Sequence, residues 1–143
     1  METEDLYYAE YKGSKDYGQQ DVPTTRATGF GAAADDYAER GIDLNEQLIR
    51  NKPATYFMRV NGNTMTGAGI HNGDVVIVDR SLKPRSGNVV IAVLNGEMLI
   101  RRYEEYNRKV RLVPEGANLA TIDVDPGADF WVWGVVTYAI HSV

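Results

Sequence analysis

The sequence predicts a mainly β domain of antiparallel strands, and two observations support this fold class. Short runs rich in Val, Ile, Tyr and Trp occur from Ala54 onward. Asn-Gly, Pro-Gly and Asp-containing turns separate these runs at intervals of about ten residues. The predicted strands are residues 55–60, 75–79, 89–94, 98–103, 110–113, 121–124 and 130–140. Asn95-Gly96 is the clearest hairpin turn, because a type I′ turn requires positive φ at both central residues.

One short helix is predicted just before the strands. Asp43 can cap its N-terminus, Glu46 stands at the capping-box position, and Asn51-Lys52-Pro53 ends it. The predicted fold is therefore mainly β with one short helix.

Residues 1–28 differ from the rest because they contain little aliphatic material apart from Leu6 and Val22. Such a segment buries too little apolar area to offset the entropy of ordering. We therefore predict a flexible N-terminal arm over residues 1–28 and one domain over residues 29–143. The four tyrosines of the arm belong either to a loosely held tail or to a segment that docks on a sheet or a partner.

Composition excludes several classes of protein. The net charge of −5 argues against bare nucleic acid as the main partner, because phosphate neutralisation needs a basic face. Without cysteine there is neither a disulfide framework nor a cysteine metal site. No membrane span or secretory signal is visible, so we expect a soluble cytoplasmic protein. His71 and His141 are expected at the surface, and we expect no metal and no cofactor.

Two segments carry a more specific signal. Asn61-Gly62-Asn63-Thr64-Met65 precedes two β-branched runs, and Gly96-Glu97 leads into Ile100-Arg101-Arg102 after them. Further segments in order are Ala33-Ala34-Asp35-Asp36-Tyr37, Ile42-Asp43-Leu44-Asn45, Ala54-Thr55-Tyr56-Phe57, Gly73-Asp74, Val78-Asp79 and Trp133-Gly134-Val135-Val136. Together they resemble the LexA/UmuD family of self-cleaving serine-lysine peptidases, and its UmuD-like members in particular, from about Gly29 to the C-terminus.

The resemblance implies a catalytic site at which this chain departs from the family. The family nucleophile is a serine in a Gly-Asp-Ser-Met segment, and its position falls on Thr64. The family base is a lysine that follows a Gly-Glu turn, and its position falls on Arg101. The family cuts its own arm between a small residue and glycine, and the corresponding bond here is Thr28-Gly29.

The arginine is the decisive change. A buried lysine can be neutral and can then accept the proton of the serine hydroxyl. An arginine side chain, whose reference pKa lies far above neutral pH, is neutral in roughly one molecule in a million near pH 7. We therefore predict that the chain does not cleave itself. The alternative is an active, RecA-stimulated autopeptidase that uses Thr64 as nucleophile with an unrecognised base.

The resemblance also implies a part in the SOS response and in translesion synthesis. The implied partners are a second copy of this chain, a UmuC-type polymerase and the RecA filament. An active UmuD-like paralogue could form a heterodimer with the chain and cut its arm in trans. Direct sequence-specific DNA binding is not expected, because some 28 residues ahead of the domain are too few for a helix-turn-helix unit.

The last predicted strand, residues 130–140, is apolar on both faces, which is typical of a strand buried in a sheet or against another subunit. The resemblance implies that it pairs two copies of the chain. Burial of Trp131 and Trp133 within one domain explains the same pattern equally well.

A set of basic residues clusters around one predicted hairpin; it comprises Arg101, Arg102, Arg108, Lys109 and Arg111. Two interpretations are open. These residues could form a docking patch, which would bind an acidic partner or a DNA-bound assembly. They could also form a solvated face whose charge Glu104 and Glu105 partly balance.

Overall fold

The structure is a computed structural model that describes residues 7–10, 41–116 and 118–143. Within these ranges, helix α1 spans Leu44–Leu48, and 3₁₀ turns span Lys52–Ala54 and Thr66–Ala68. The strands are β1 (Tyr7–Glu10), β2 (Thr55–Arg59), β3 (Val75–Asp79), β4 (Val89–Leu94), β5 (Glu97–Tyr106), β6 (Lys109–Val113), β7 (Ile122–Asp123) and β8 (Phe130–Ile140). None of the helices in these ranges is long enough to cross a membrane.

The described strands form one antiparallel sheet in the order β1-β2-β3-β8-β4-β5-β6-β7. This arrangement confirms the predicted fold class, a mainly β domain of antiparallel strands with one short helix. Strand β8 lies between β3 and β4 in the sheet, and each of the two partners pairs with a different part of its length. Residues 130–136 of β8 pair with β4, and residues 135–140 pair with β3. Among the described strands, residues 137–140 are therefore paired along one edge only.

Two tight turns set the register of β5. Asn95 and Gly96 have φ values of 50° and 84°, which confirms the predicted hairpin between β4 and β5. The turn between β5 and β6 also has two positive φ values, 50° at Asn107 and 62° at Arg108. The sequence signal for this second turn is weaker, because arginine rarely adopts such a conformation.

Strand β4 is buried along most of its length and separates two hydrophobic clusters. Val89, Ile91 and Val93 belong to one cluster, and Val90 and Ala92 belong to the other. Because side chains alternate along a strand, the two clusters lie on opposite faces of β4. The first cluster also contains Met58, Val60, Met65, Ile70, Val76, Val78, Ile100 and Trp133, and the second also contains Tyr103, Leu112 and Val135.

The two tryptophans of β8 have different environments. Trp133 is 7% exposed, and its ring lies edge-on to Tyr56 with the ring centroids 5.0 Å apart. The guanidinium of Arg80 stacks over Trp133 at 4.3 Å from the ring centroid. Trp131, in contrast, is 45% exposed. Core burial therefore accounts for one tryptophan of the pair.

Strand β1 lies inside the predicted arm. Tyr7–Glu10 pairs antiparallel with β2, so four residues of the arm add an edge strand to the sheet. The remainder of residues 1–28 lies outside the described residues, and the division at residue 28 stays a prediction. After it, α1 begins as predicted, since the side chain of Asp43 accepts a hydrogen bond from the N–H of Asn45 at 2.9 Å.

Candidate active-site region around Thr64 and Arg101

Thr64 lies in the loop between β2 and the 3₁₀ turn Thr66–Ala68, and it is 8% exposed. The next residue, Met65, is 1% exposed and packs in the first hydrophobic cluster. On the other side of the loop, the N–H of Gly62 donates to Oδ1 of Asn72 at 2.8 Å. Core packing and this hydrogen bond together hold the segment that carries the threonine hydroxyl.

Arg101 lies in β5 opposite Val90 of β4, and it is 6% exposed. Its Nη1 donates to the carbonyl oxygen of Ile100 at 2.8 Å. Because side chains alternate along a strand, Arg101 and Arg102 point to opposite faces. An arginine stays protonated in proteins, so this position puts a permanent positive charge inside the domain.

Glu115 connects the neighbour of Arg101 to the loop of Thr64. Its carboxylate oxygens lie 2.7 Å from Nε and 3.2 Å from Nη2 of Arg102, a bidentate ion pair. Its backbone N–H donates to the carbonyl of Thr64 at 2.9 Å, and its own carbonyl accepts from the N–H of Gly67 at 2.6 Å. This one residue therefore fixes the Thr64 loop relative to β5.

The Thr64 loop and residues 115–116 approach each other so closely that each segment needs a glycine at the contact. A Cβ atom on Gly116 would lie 2.5 Å from Oγ1 of Thr66 and 2.7 Å from the carbonyl oxygen of Asn63. A Cβ atom on Gly67 would lie 2.8 Å from the carbonyl oxygen of Glu115. The contact between the Thr64 loop and residues 115–116 is therefore made largely by backbone atoms.

Of the four residues that the sequence assigns to the site, the structure describes Thr64 and Arg101. Thr64 and Arg101 are both buried, and the segments that carry them are joined through Glu115. Thr28 and Gly29, the predicted cleavage position, lie outside the described residues. The assignment of these four residues to catalytic and cleavage positions stays a prediction.

Sequence reasoning missed Glu115. Pro114-Glu115-Gly116 reads as an ordinary turn after β6, with no sign of a catalytic role. Its partners lie 13 residues away in β5 and more than 45 residues away in the Thr64 loop, and a single sequence does not show such long-range pairs.

The five basic residues near the β5-β6 hairpin do not share one surface. Arg101 is buried, and Arg102 is held by its ion pair. Arg111 lies 4.0 Å from a carboxylate oxygen of Glu104 and 3.5 Å from one of Asp123. These exposed pairs agree with the interpretation as a partly balanced, solvated face, since such pairs contribute about 1 kcal/mol or less.

Comparison with known proteins identifies relatives over most of the chain. The model of the family described as Peptidase S24-like matches residues 22–137. Protein ImpA of Salmonella typhimurium is 38% identical over 114 residues, which is 79% of this chain and 77% of ImpA. Protein MucA of Escherichia coli is 35% identical over 115 residues, 80% of this chain and 78% of MucA. LexA repressor 1 of Xanthomonas oryzae pv. oryzae is 37% identical over 109 residues, but these make up only 54% of that repressor.

Replacing Gly116 with Ala should destabilise the domain by about 1 to 3 kcal/mol, because the added methyl group collides with backbone and hydroxyl oxygens. Gly127→Ala is the matched control, since a Cβ atom there meets nothing within 4 Å. Urea unfolding of both variants measures the difference. Equal stability of the two variants would show that residues 115–116 do not press on the Thr64 loop.

The ion pair predicts a pH-dependent contribution to stability. The hydrogen bond from Arg102 lowers the pKa of Glu115 below 4.5, with charge attraction adding to it and burial opposing it. A carboxyl group whose pKa is lower in the folded state than in the unfolded state stabilises the fold at a pH above its unfolded-state pKa. This stabilisation is lost as the pH falls through its folded-state pKa. Glu115→Gln should therefore destabilise the domain by about 1 kcal/mol near pH 7, and the difference should shrink below about pH 4.5.

Urea unfolding of wild type and Glu115→Gln at a series of pH values provides the measurement. Glu105→Gln is a suitable control, because it changes another carboxylate on the same hairpin that is bonded to Tyr103 and not to an arginine. A stability difference that stays constant from neutral to acidic pH would contradict the role of the charged carboxylate.

Proposed function

Because the chain belongs to the Peptidase S24-like family, and to the UmuD-like members of the LexA/UmuD group, we propose that it is a non-cleaving accessory protein of the SOS response and translesion synthesis. The observation that supports the loss of cleavage is the buried arginine, Arg101, at the predicted position of the base. The similarity to ImpA and MucA supports the UmuD-like role.

The chemical argument concerns the proton of the Thr64 hydroxyl. Threonine can act as a nucleophile when a base is at hand, although its methyl group restricts χ1. Arginine does not provide that base, since removing its proton near pH 7 costs on the order of 7 to 9 kcal/mol. The predicted cleavage position, Thr28-Gly29, also has a β-branched residue where the family has a small one. The residues at these three positions, Thr28, Thr64 and Arg101, therefore all disfavour self-cleavage.

A chain of this kind works through its surfaces. The proposed partners are a second copy, a UmuC-type polymerase and the RecA filament, in the cytoplasm. The protein would act as a permanently uncleaved form, or it would pair with an active paralogue and dampen it. These roles need a folded domain and a pairing surface, and neither needs a nucleophile.

The one-sided half of β8 is the surface that we propose for pairing. Residues 137–140 pair with β3 along one edge, and Thr137 and Tyr138 line a groove of about 660 Å³. Two large side chains here are exposed, Tyr138 by 39% and Ile140 by 49%. A strand edge with exposed apolar side chains favours strand addition from another chain. In a symmetric dimer the same residues would meet from both copies.

Self-cleavage provides the first test. Purified protein incubated with RecA, ATP and single-stranded DNA should remain full length, as measured by intact mass. The triple variant Thr28→Ala, Thr64→Ser, Arg101→Lys should gain a product that begins at Gly29. The double variant Thr28→Ala, Thr64→Ser is the control and should stay uncut, because it still lacks a base that can be neutral.

The opposing result is equally specific. A product that begins at Gly29 in the wild type, and that disappears in Thr64→Ala, would replace this proposal with an autopeptidase that uses Thr64. A wild-type product that persists in Thr64→Ala and requires an active relative would indicate cleavage in trans.

Dimerisation provides the second test. Tyr138→Asp should weaken self-association at least about tenfold, because a symmetric contact brings two new carboxylates together in a poorly solvated interface. Tyr106→Asp is the matched control, since Tyr106 is 79% exposed at the far end of β5. Sedimentation equilibrium measures both dissociation constants. An unchanged constant for Tyr138→Asp would exclude this edge as the interface.

A further inference from the structure

Two histidines that the sequence places at the surface lie together at the end of β8. His71 belongs to the turn before β3, and His141 follows the last residue of β8. Their ring centroids are 5.0 Å apart, with an angle of 49° between the ring planes. Nδ1 of His141 also lies 2.7 Å from Oδ1 of Asp74. Two imidazoles and a carboxylate thus form one cluster.

Asp74 is the fixed member of this cluster. It is 3% exposed, and its second carboxylate oxygen accepts a hydrogen bond from the N–H of His71 at 2.8 Å. Burial alone would raise the pKa of Asp74, but the hydrogen bonds from His71 and His141 lower it below 3.8. The carboxylate is therefore ionised at every pH near neutrality. Because an ionised carboxylate only accepts, Nδ1 of His141 must carry the hydrogen.

The charges around the pair come from several segments. On β2, Arg59 donates from Nη1 to the carbonyl oxygen of Gly73 at 2.8 Å, next to Asp74. The described residues contain no group of three or more side chains that could hold a metal ion. The charge of the cluster therefore changes chiefly through protons on its two histidines.

The contact between His141 and Asp74 lies where it can hold two strands together. Val75 pairs with Ile140 and Val76 with Ala139, so β3 and β8 run side by side up to this point. Asp74 directly precedes β3 and His141 directly follows β8. The contact between Asp74 and His141 therefore joins β3 and β8 just beyond their last paired residues. In this part of the sheet, β8 pairs with β3 along one edge.

We infer that His141 and Asp74 form a proton-operated clasp that holds the last residues of β8 on β3. Protonated His141 faces an ionised carboxylate at 2.7 Å, and charge attraction then adds to the hydrogen bond. Neutral His141 keeps only the hydrogen bond, so the clasp loosens as the pH rises. A protonated His71 opposes the clasp, since two like charges would lie 5.0 Å apart.

The regulatory consequence rests on the proposed function. Residues 137–140 carry the edge that we propose for dimerisation. A clasp that orders these residues lowers the entropy cost of pairing. Protonation of His141 should therefore favour the dimer.

Hydrogen exchange measured by NMR on the full chain tests the clasp directly. Protection factors, which correct for the intrinsic pH dependence of exchange, are compared for Ala139 and Ile140 at about pH 6 and pH 8. We expect wild-type protection to be at least about threefold higher at the lower pH, a modest value because His141 is half exposed. His141→Gln keeps a donor without the charge and should give the same protection at both pH values.

Two further variants separate charge from simple packing. His141→Lys carries a charge at both pH values and should keep the protection high at both. His71→Gln removes the opposing charge and should raise protection at about pH 6 above that of the wild type. If wild type and His141→Gln show the same pH profile, the clasp inference is wrong.

The dissociation constant of the dimer, measured on the same samples, distinguishes failure of the dimer proposal from failure of the clasp inference. A pH-dependent clasp in a chain that stays monomeric overturns the dimer proposal and its regulation, while the clasp stands. A dimer that forms equally well at both pH values, with flat protection at Ala139 and Ile140, overturns the clasp alone.

Discussion

The change of partner along β8 is the constraint on which the rest of the sheet depends. Its first half pairs with β4 and its second half with β3, so this single strand joins the two parts of the sheet. Gly134 lies where the partners change, and a Cβ atom there would come within 2.5 Å of Cγ1 of Val78. Any larger residue at this position would collide with the Val78 side chain of β3. The change of partner leaves residues 137–140 with one edge unpaired among the described strands.

The fold was largely predictable because its signals are local. Alternating apolar runs identified most strands, and Asn95-Gly96 identified the hairpin, since its φ requirement involves only two adjacent residues. The end of β5 was predicted at Tyr103 but lies at Tyr106, because pairing with β6 extends a strand beyond its apolar part. Tertiary contacts also decided the two tryptophans of β8, since one packs against Tyr56 and the other faces solvent.

The candidate site was predictable only in part. Thr64 and Arg101 emerge from the sequence because a resemblance fixes their places, and burial of both is compatible with that assignment. Glu115 and the Asp74-His141 contact could not be predicted, because each joins segments that are distant along the chain. His141 and Asp74 are separated by 67 positions, and no periodicity or motif connects them. Interactions of this kind are set by how strands cross and by which turns meet at their ends.

The two adjacent arginines of β5 do not by themselves fix the register of this strand. Arg101 is buried on one face, and Arg102 is held by Glu115 on the other. A shift of one residue between β4 and β5 would exchange two chemically identical side chains, so this pair by itself cannot discriminate between correct and shifted alignments. That discrimination must come from residues with unequal neighbours, such as buried Ile100, and from the geometry of the Asn95-Gly96 turn. The hairpin at Asn95-Gly96, several residues away, therefore determines which of the two arginines is buried.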